Sequence, residues 1–110
     1  MKEYDVIITP EAESDLDELD DYITFELHAP ETALRFINDI EEEICSLSKH
    51  AKLNSLVPYE PWHSRGYRRM NFKGYAVHYV LVEDDDTVYI QNIIYQKRNI
   101  PKVLADRYGE

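Results

Sequence analysis

Apolar residues in the first half of the chain fall on two stripes at helical spacing. Thr9-Pro10-Glu11 is typical of a helix start, because the hydroxyl can cap the first turn and Pro fits there. The stripe that follows comprises Ala12, Leu16, Leu19, Ile23 and Leu27. A second stripe, which opens at Pro30, comprises Ala33, Phe36, Ile37, Ile40, Ile44 and Leu47. The short link between the stripes predicts an antiparallel helical hairpin.

β-branched and aromatic runs predict four strands, one before the hairpin and three after it. The predicted strands are Tyr4–Thr9, Tyr67–Phe72, Tyr75–Glu83 and Thr87–Tyr95. In the last strand, alternation predicts a face made by Val88, Ile90 and Ile94, which Asn92 interrupts. Ile100-Pro101-Lys102 then opens a short C-terminal helix.

Periodicity fades between about Lys49 and Arg65, where Pro58 and Pro61 also fall, so this segment is predicted to be a long loop. A loop of this length in a small domain is often functional.

The predicted order is strand, helix, helix, three strands and a short helix. This order indicates an α+β fold in which the hairpin packs on one face of a mostly antiparallel sheet. A groove is expected on the other face of the sheet, provided that this face is open. A chain of 110 residues fits a single domain that spans residues 1–110.

The charge of the chain is uneven along its length. The formal net charge is −10, which argues against nucleic-acid binding by the chain as a whole. Residues 1–60 hold 4 Lys/Arg and 16 Asp/Glu, whereas residues 61–110 hold 8 and 6, so an anionic partner would meet the second half. No apolar run is long enough to cross a membrane, and the N-terminus lacks the layout of a signal peptide, which predicts a cytoplasmic protein.

Several strings in this order resemble members of the RelE/ParE toxin superfamily. Residues 6–12 resemble its opening strand and helix start, and residues 21–23 a "DYI" motif of its first helix. Residues 60–68 resemble an "EPWxSRGxR" loop of one branch. Residues 74–79 resemble its "NYxVFY" strand, and residues 95–100 resemble the end of its last strand.

The resemblance implies a growth-inhibiting toxin that a small antitoxin, usually encoded beside it, binds and silences. Members of the RelE branch cleave messenger RNA, often on the ribosome and without a metal. Members of the ParE branch share the fold and poison DNA gyrase. Neither a cofactor nor a metal is expected, and the fold does not choose between the two targets.

Metal-free RNA cleavage needs acid–base groups and cations that neutralise the charge of the transition state. By the resemblance, Arg98 occupies the place of an arginine that clamps phosphate; otherwise it is a surface residue that holds the C-terminal helix. Arg68 and Arg69 are neighbours in a strand and point to opposite faces, so only one can line a groove. Arg68 is preferred, because it occupies the place of a lysine in RelE. Tyr95 is a further acid–base candidate.

Two departures from the RelE pattern weaken the assignment to RNA cleavage. Ala76 replaces an arginine of the RelE branch, and Leu104 replaces a tyrosine of its C-terminal helix. Tyr108 lies one helical turn further on and is a possible substitute for that tyrosine.

The loop and the second half supply the other candidate residues. His63 is an acid–base candidate, or else a loop residue that packs on Trp62. Trp62 either stacks on a base or pins the loop to the domain. His78 is expected to be a structural residue in the middle of a strand. A basic patch for substrate binding is predicted from Arg65, Arg69 and Lys97, together with Trp62.

Three functional hypotheses follow from these residues. The first is a toxin that binds a protein target such as gyrase. The second is a ribosome-dependent endoribonuclease that uses Arg98 and Arg68 with His63 or Tyr95. The third is an antitoxin-binding module that has lost toxicity. The endoribonuclease is the preferred hypothesis because the RelE branch is the larger one, and the other two are its alternatives. The acidic runs 15–21 and 41–43 are either solvated helix faces or attract a basic segment of the antitoxin.

Overall fold

Four strands and three longer helices follow each other in the predicted order, and a one-turn helix that the sequence did not predict lies after the hairpin. In the computed structural model, which describes residues 2–110, they are β1 (Asp5–Ile8), α1 (Pro10–Asp21), α2 (Pro30–Cys45), α3 (Leu47–His50), β2 (Tyr67–Phe72), β3 (Tyr75–Val82), β4 (Thr87–Tyr95) and α4 (Ile100–Tyr108). The sheet has the strand order β1-β4-β3-β2, with β1 parallel to β4 and the other pairs antiparallel. The predicted α+β architecture is confirmed.

The first helix begins where the sequence predicts and ends in a wider turn. Thr9 caps α1 by accepting a hydrogen bond from the Ala12 N–H at 3.3 Å. After Asp21 the chain continues as a π-helical turn over Tyr22–Glu26, closed by a bond from the Leu27 N–H to the Tyr22 carbonyl at 3.2 Å. The extra residue in this turn shifts the helical phase. Leu27 is therefore 54% exposed, and its placement on the buried stripe is wrong.

The hairpin of α1 and α2 packs on one face of the sheet and forms the larger core. α2 buries Ala33, Ile40 and Ile44, and α3 adds Leu47, as the second stripe predicts. The sheet contributes residues from its three longer strands, namely Met70, Val77, Tyr79, Val88, Ile90 and Ile93. Burial of this apolar surface is the main source of stability for such a layer pair.

A β-bulge in β4 overturns one prediction about that strand. His78 pairs with Asn92, yet the next residue, Tyr79, pairs with Ile90, so Gln91 is an extra residue in the ladder. The bulge reverses the alternation of side chains. Ile90 consequently faces the hairpin, whereas Asn92 and Ile94 face the opposite side, and the predicted shared face is wrong for Ile94.

The opposite face of the sheet is covered in its central part by α4 and by the loop that precedes β2. Its apolar cluster consists of Val57, Trp62, Tyr67, Ala76, Ile94, Ile100 and Leu104. The groove that the sequence suggested on an open second face is therefore filled at this place. Among residues 2–110, no helix is both long and apolar enough to cross a membrane.

Asp15 joins α1, β4 and α4 at a single carboxylate. Its Oδ2 accepts the Ile93 N–H at 2.8 Å and Arg107 Nη1 at 2.9 Å, and the Asp15 side chain is only 10% exposed. β1 pairs with β4 only as far as Ile90, so the Ile93 N–H lies beyond the end of β1 and α1 supplies its acceptor.

We expect Asp15→Ala to lower the free energy of unfolding by about 2 kcal/mol, because it leaves the Ile93 N–H without its acceptor and removes one of the two carboxylates that hold Arg107. Urea denaturation would measure the change. Asp17→Ala, an exposed change on the same helix, serves as the control and should cost less than about 0.5 kcal/mol. Equal losses in the two variants would show that Asp15 contributes nothing specific.

Candidate functional site

A cleft of about 620 Å³ lies between α1 and the end of the sheet where β4 leads towards α4. Its helix wall carries Glu18 and Tyr22, and its strand wall carries Tyr75 and Tyr95. The rings of Tyr75 and Tyr95 pack with their centroids 5.4 Å apart. The remaining lining residues are Asp15, Leu19, Ile93, Ile94, Arg98 and Arg107. Its size and aromatic walls are typical of ligand and peptide clefts.

Some charged side chains in this cleft form ion pairs within the protein, and others do not. Arg107 is held by Glu11 at 3.1 Å and by Asp15 at 2.9 Å. Within the part of the chain that the structure describes, Glu18 and Arg98 make no side-chain hydrogen bond or ion pair. The cleft thus offers one carboxylate on its helix wall and one guanidinium beside its strand wall.

An exposed apolar patch extends from the cleft over the end of the hairpin. It consists of Tyr22, Phe25 and Leu27, which are 51%, 67% and 54% exposed, and we call it the hairpin tip. Leu34, on an early turn of α2, is 65% exposed. A contiguous apolar surface that reaches into a cleft marks an interaction site more often than scattered apolar residues do.

A chain of buried hydrogen bonds crosses the other face of the sheet. The Asn92 amide donates from Nδ2 to Tyr108 Oη at 3.0 Å, so its Oδ1 faces His78 Nδ1 at 2.7 Å. His78 must therefore carry its proton on Nδ1 and accept the Tyr59 hydroxyl at Nε2, 2.6 Å away. Tyr108 in turn donates to Glu11. Every hydrogen bond in this series therefore donates in the direction of the Glu11 carboxylate.

The groups in this chain stay in one protonation state near neutral pH. Burial lowers the pKa of His78 to about 4, with Arg69 and Arg107 acting in the same direction and the Asn92 hydrogen bond opposing them. Burial and the Glu11 carboxylate both raise the pKa of Tyr108. The series of hydrogen bonds therefore holds α4 and the loop against the sheet. Neither His78 nor Tyr108 is poised to exchange protons near pH 7.

The predicted catalytic residues separate into different places. Arg98 and Tyr95 come together in the cleft. Arg68 lies on the hairpin side of the sheet, opposite Tyr79, and donates to the Asn54 carbonyl at 2.6 Å. Arg69 lies on the second face beside His78, and neither of the two arginines lines the cleft.

The loop residues that were predicted to act in catalysis or in substrate binding are engaged within the protein. Trp62 is 2% exposed and packs between the rings of Tyr67 and Tyr108, so it pins the loop and cannot stack on a base. Arg65 lies over the Trp62 ring and pairs with Glu110. His63 is exposed, with its Nδ1 hydrogen-bonded to the Val57 carbonyl at 2.8 Å.

Two further positions bear on the chemistry. Ala76 and Leu104, where the RelE pattern carries an arginine and a tyrosine, are both fully buried in the apolar cluster beneath α4. Lys97 is exposed next to Arg98 in the chain, whereas Arg69 bonds to Asn71 on the second face. The basic patch that the sequence predicted is thus divided. Among residues 2–110, no group of three metal-ligating side chains is close enough to hold an ion.

Sequence reasoning did not identify the cleft residues Glu18, Tyr22 and Tyr75 as a site. It also treated His78 and Asn92 separately. The signal that links these two was available, because each interrupts an apolar strand and the strands are neighbours in the meander. The sequence does not reveal the bulge in β4, however, and the pairing of His78 with Asn92 depends on it.

We expect acidification to weaken the fold through His78. Its folded-state pKa lies below the ordinary value of 6.5, so the unfolded chain binds more protons between these values and stability falls as the pH falls. Between about pH 7 and about pH 5 the loss should be about 2 kcal/mol. Urea denaturation at each pH would measure it. The difference in free energy of unfolding between the parent protein and His78→Gln should become smaller as the pH falls. A gap that stays constant over this range would contradict the buried, neutral imidazole.

Comparisons with known proteins agree with this architecture. The family described as the ParE toxin of the type II toxin–antitoxin system parDE matches residues 6–100. No curated protein matches significantly.

Among solved structures, the chromosomal ParDE toxin–antitoxin system of P. aeruginosa is similar with a TM-score of 0.69 and 24% identity, over 84% of this chain and 95% of that one. The toxin–antitoxin complex RelBE2 of Mycobacterium tuberculosis is similar with a TM-score of 0.64 and 20% identity, over 89% and 97%. A double arginine-to-alanine mutant of the free E. coli toxin RelE is similar with a TM-score of 0.61 and 8% identity, over 96% of each chain. These likenesses establish a common fold. Because the family match spans most of the sequence, the chain belongs to the ParE toxin family of type II toxin–antitoxin systems, within the RelE/ParE superfamily.

Proposed function

We propose that this toxin acts by binding a protein target and does not cleave RNA itself, DNA gyrase being the target that the ParE resemblance implies. The observation that carries this proposal is the burial of Ala76 and Leu104. At the two places where the RelE pattern has an arginine and a tyrosine, this chain has apolar side chains that fix α4 to the sheet. RNA has no access to these positions while α4 is packed.

The arrangement of the remaining polar groups supports the same proposal. Catalysis by proton transfer needs a donor and an acceptor within reach of one reacting centre. Here Arg68 and Arg69 lie on opposite faces, and Arg65 is paired with Glu110. The pKa shifts of His78 and Tyr108 keep both groups from exchanging protons near neutrality.

The distribution of charge also favours a protein partner. RNA binding depends on cations that replace the counterions of the phosphates. The chain has a net charge of −10, and residues 10–31, which run from the start of α1 to the first turn of α2, contain nine acidic residues and no Lys or Arg. Such a surface repels RNA and attracts basic protein segments.

A cognate antitoxin is the partner that accompanies this function. The similar solved structures include toxin–antitoxin systems and complexes. The toxin is proposed to act in the cytoplasm, where both the antitoxin and the target are made.

One observation favours the endoribonuclease as a second candidate. Arg98 and Tyr95 line the same cleft, so a cation and a phenol are available there together. The carboxylates of Glu18 and Asp15 in the same cleft work against a bound phosphate, which makes this the weaker candidate.

Purified toxin is expected to inhibit supercoiling by purified gyrase, and cells that express it without antitoxin should filament while their early messenger RNA stays intact. Gel assays of supercoiling and sequencing of transcript ends measure the two effects. Rapid transcript cleavage that Arg98→Ala abolishes would overturn the proposal in favour of the endoribonuclease. Normal growth with a soluble, folded chain would instead indicate a binding module without toxicity.

A further inference from the structure

An apolar row crosses the second face of the sheet, from the cluster beneath α4 to the outer strand β1. The row consists of Tyr67, Val80, Tyr89 and Ile7, each of which pairs with the next in the register of the sheet. Side chains opposite each other on neighbouring strands lie on the same face. Tyr67 is 6% exposed within the cluster, whereas Ile7, at the other end of the row, is 45% exposed. The loop and α4 therefore cover one end of the row and leave the other end open.

Ile7 occupies a position where an outer strand commonly carries a polar side chain. β1 is at the edge of the sheet, and its side chains alternate between the core and the second face. Val6 and Ile8 pack against the core beneath the hairpin, so Ile7 points to the second face. Proteins usually protect the edges of their sheets with charged residues. An exposed Ile that prolongs a buried apolar row therefore indicates a surface that a partner covers.

Two carboxylates flank the open end of this row. Asp5 precedes Ile7 by two residues and so lies on the same face, roughly 7 Å away along the strand. Asp85 accepts the Tyr89 hydroxyl at 3.2 Å. Both carboxylates are exposed, and neither forms an ion pair with any of residues 2–110. The open end thus combines an aliphatic and an aromatic side chain with two carboxylates that are available to a partner.

We propose that this surface, which we call the outer row (Asp5, Ile7, Val80, Asp85 and Tyr89), binds an arginine-bearing segment of a partner protein. An aliphatic side chain of the partner covers Ile7, and the neighbouring arginine lies on the Tyr89 ring and donates to the Asp85 carboxylate. The outer row shares no residue with the cleft and lies on the face of the sheet opposite the hairpin. A protein that is bound to the hairpin therefore leaves the outer row accessible.

The charges at the outer row determine the chemistry of the partner. Residues 83–86, which include Asp85, are all acidic, so the negative potential extends beyond the two flanking carboxylates. Such a potential repels nucleic acids and acidic proteins and attracts a basic segment. Arginine fits better than lysine, because a planar guanidinium can stack on an aromatic ring and donate to a carboxylate at the same time.

An NMR titration of the intact, isotope-labelled toxin tests this proposal. The probe is a short capped peptide in which Leu and Arg alternate, and its two counterparts carry Lys or Glu in place of every Arg. The affinity is taken from the amide resonances of Ile7, Val80 and Tyr89 themselves, so binding to other acidic surfaces does not enter the result. The Arg peptide should shift these resonances, the Lys peptide should bind about fivefold more weakly, and the Glu peptide should leave them unchanged.

Matched variants separate the outer row from the general negative potential. Asp85→Asn keeps an acceptor for the Tyr89 hydroxyl but removes the charge, and it should weaken binding of the Arg peptide about fivefold. Asp84→Asn makes the same change at the preceding exposed residue and should alter the affinity less than about twofold. Ile7→Thr should also weaken binding, whereas Leu53→Thr, at an apolar residue that is exposed elsewhere, should not. Circular dichroism verifies that each variant is folded.

Three outcomes would overturn the proposal: unchanged resonances of the outer row with the Arg peptide, equal affinities for the Arg and Lys peptides, or equal losses for Asp85→Asn and Asp84→Asn. The titration uses purified protein and does not depend on toxicity. A toxin that binds the Arg peptide as expected but does not inhibit gyrase or growth would therefore refute the proposed function and leave the outer row as a binding surface.

Discussion

The Asp15 carboxylate of α1 binds both β4 and α4, and so it links the hairpin, the sheet and the C-terminal helix. β1 ends its pairing with β4 at Ile90, so the Ile93 N–H lies beyond the end of β1 on that edge of β4. Asp15 accepts this N–H from α1 and simultaneously holds Arg107 of α4. A buried donor without an acceptor costs about 1–3 kcal/mol, so this carboxylate fixes how the hairpin, the sheet and α4 meet.

The bulge at Gln91 has a comparable influence on the second face of the sheet. It turns Asn92 and Ile94 towards α4 while Ile90 stays on the hairpin side. Asn92 can then join His78 and Tyr108 in one hydrogen-bond chain. The buried polar side chains of the described residues are all hydrogen-bonded. This series of hydrogen bonds therefore stabilises a unique packing of α4.

The outer surface of the hairpin combines acidic side chains with the exposed aromatic and aliphatic side chains of the hairpin tip. Proteins seldom leave an apolar patch exposed beside a cleft unless a partner covers it. A toxin of a type II toxin–antitoxin system needs a surface that its antitoxin can bind.

The sequence by itself determined the elements, since local patterns carry their own physical signal. The hairpin was predicted from the Thr9 cap, from Pro30 in the first turn of α2 and from the apolar spacing of α2. The bounds of β2 and β4 were predicted to the residue. The predicted fold class followed from their order. The sequence also placed the candidates Arg98 and Tyr95 close together at the end of β4, and both line one cleft in the structure.

Only the tertiary structure decided which faces those elements present to one another. One extra residue in a strand exchanges its two faces, and one π-helical turn moves Leu27 from the core to the surface. Both effects arise from pairing and packing with distant segments, which no local window of sequence contains. For the same reason the burial of Trp62, the separation of Arg68 from Arg69 and the assembly of the cleft could be seen only once α1, β4 and α4 were in contact.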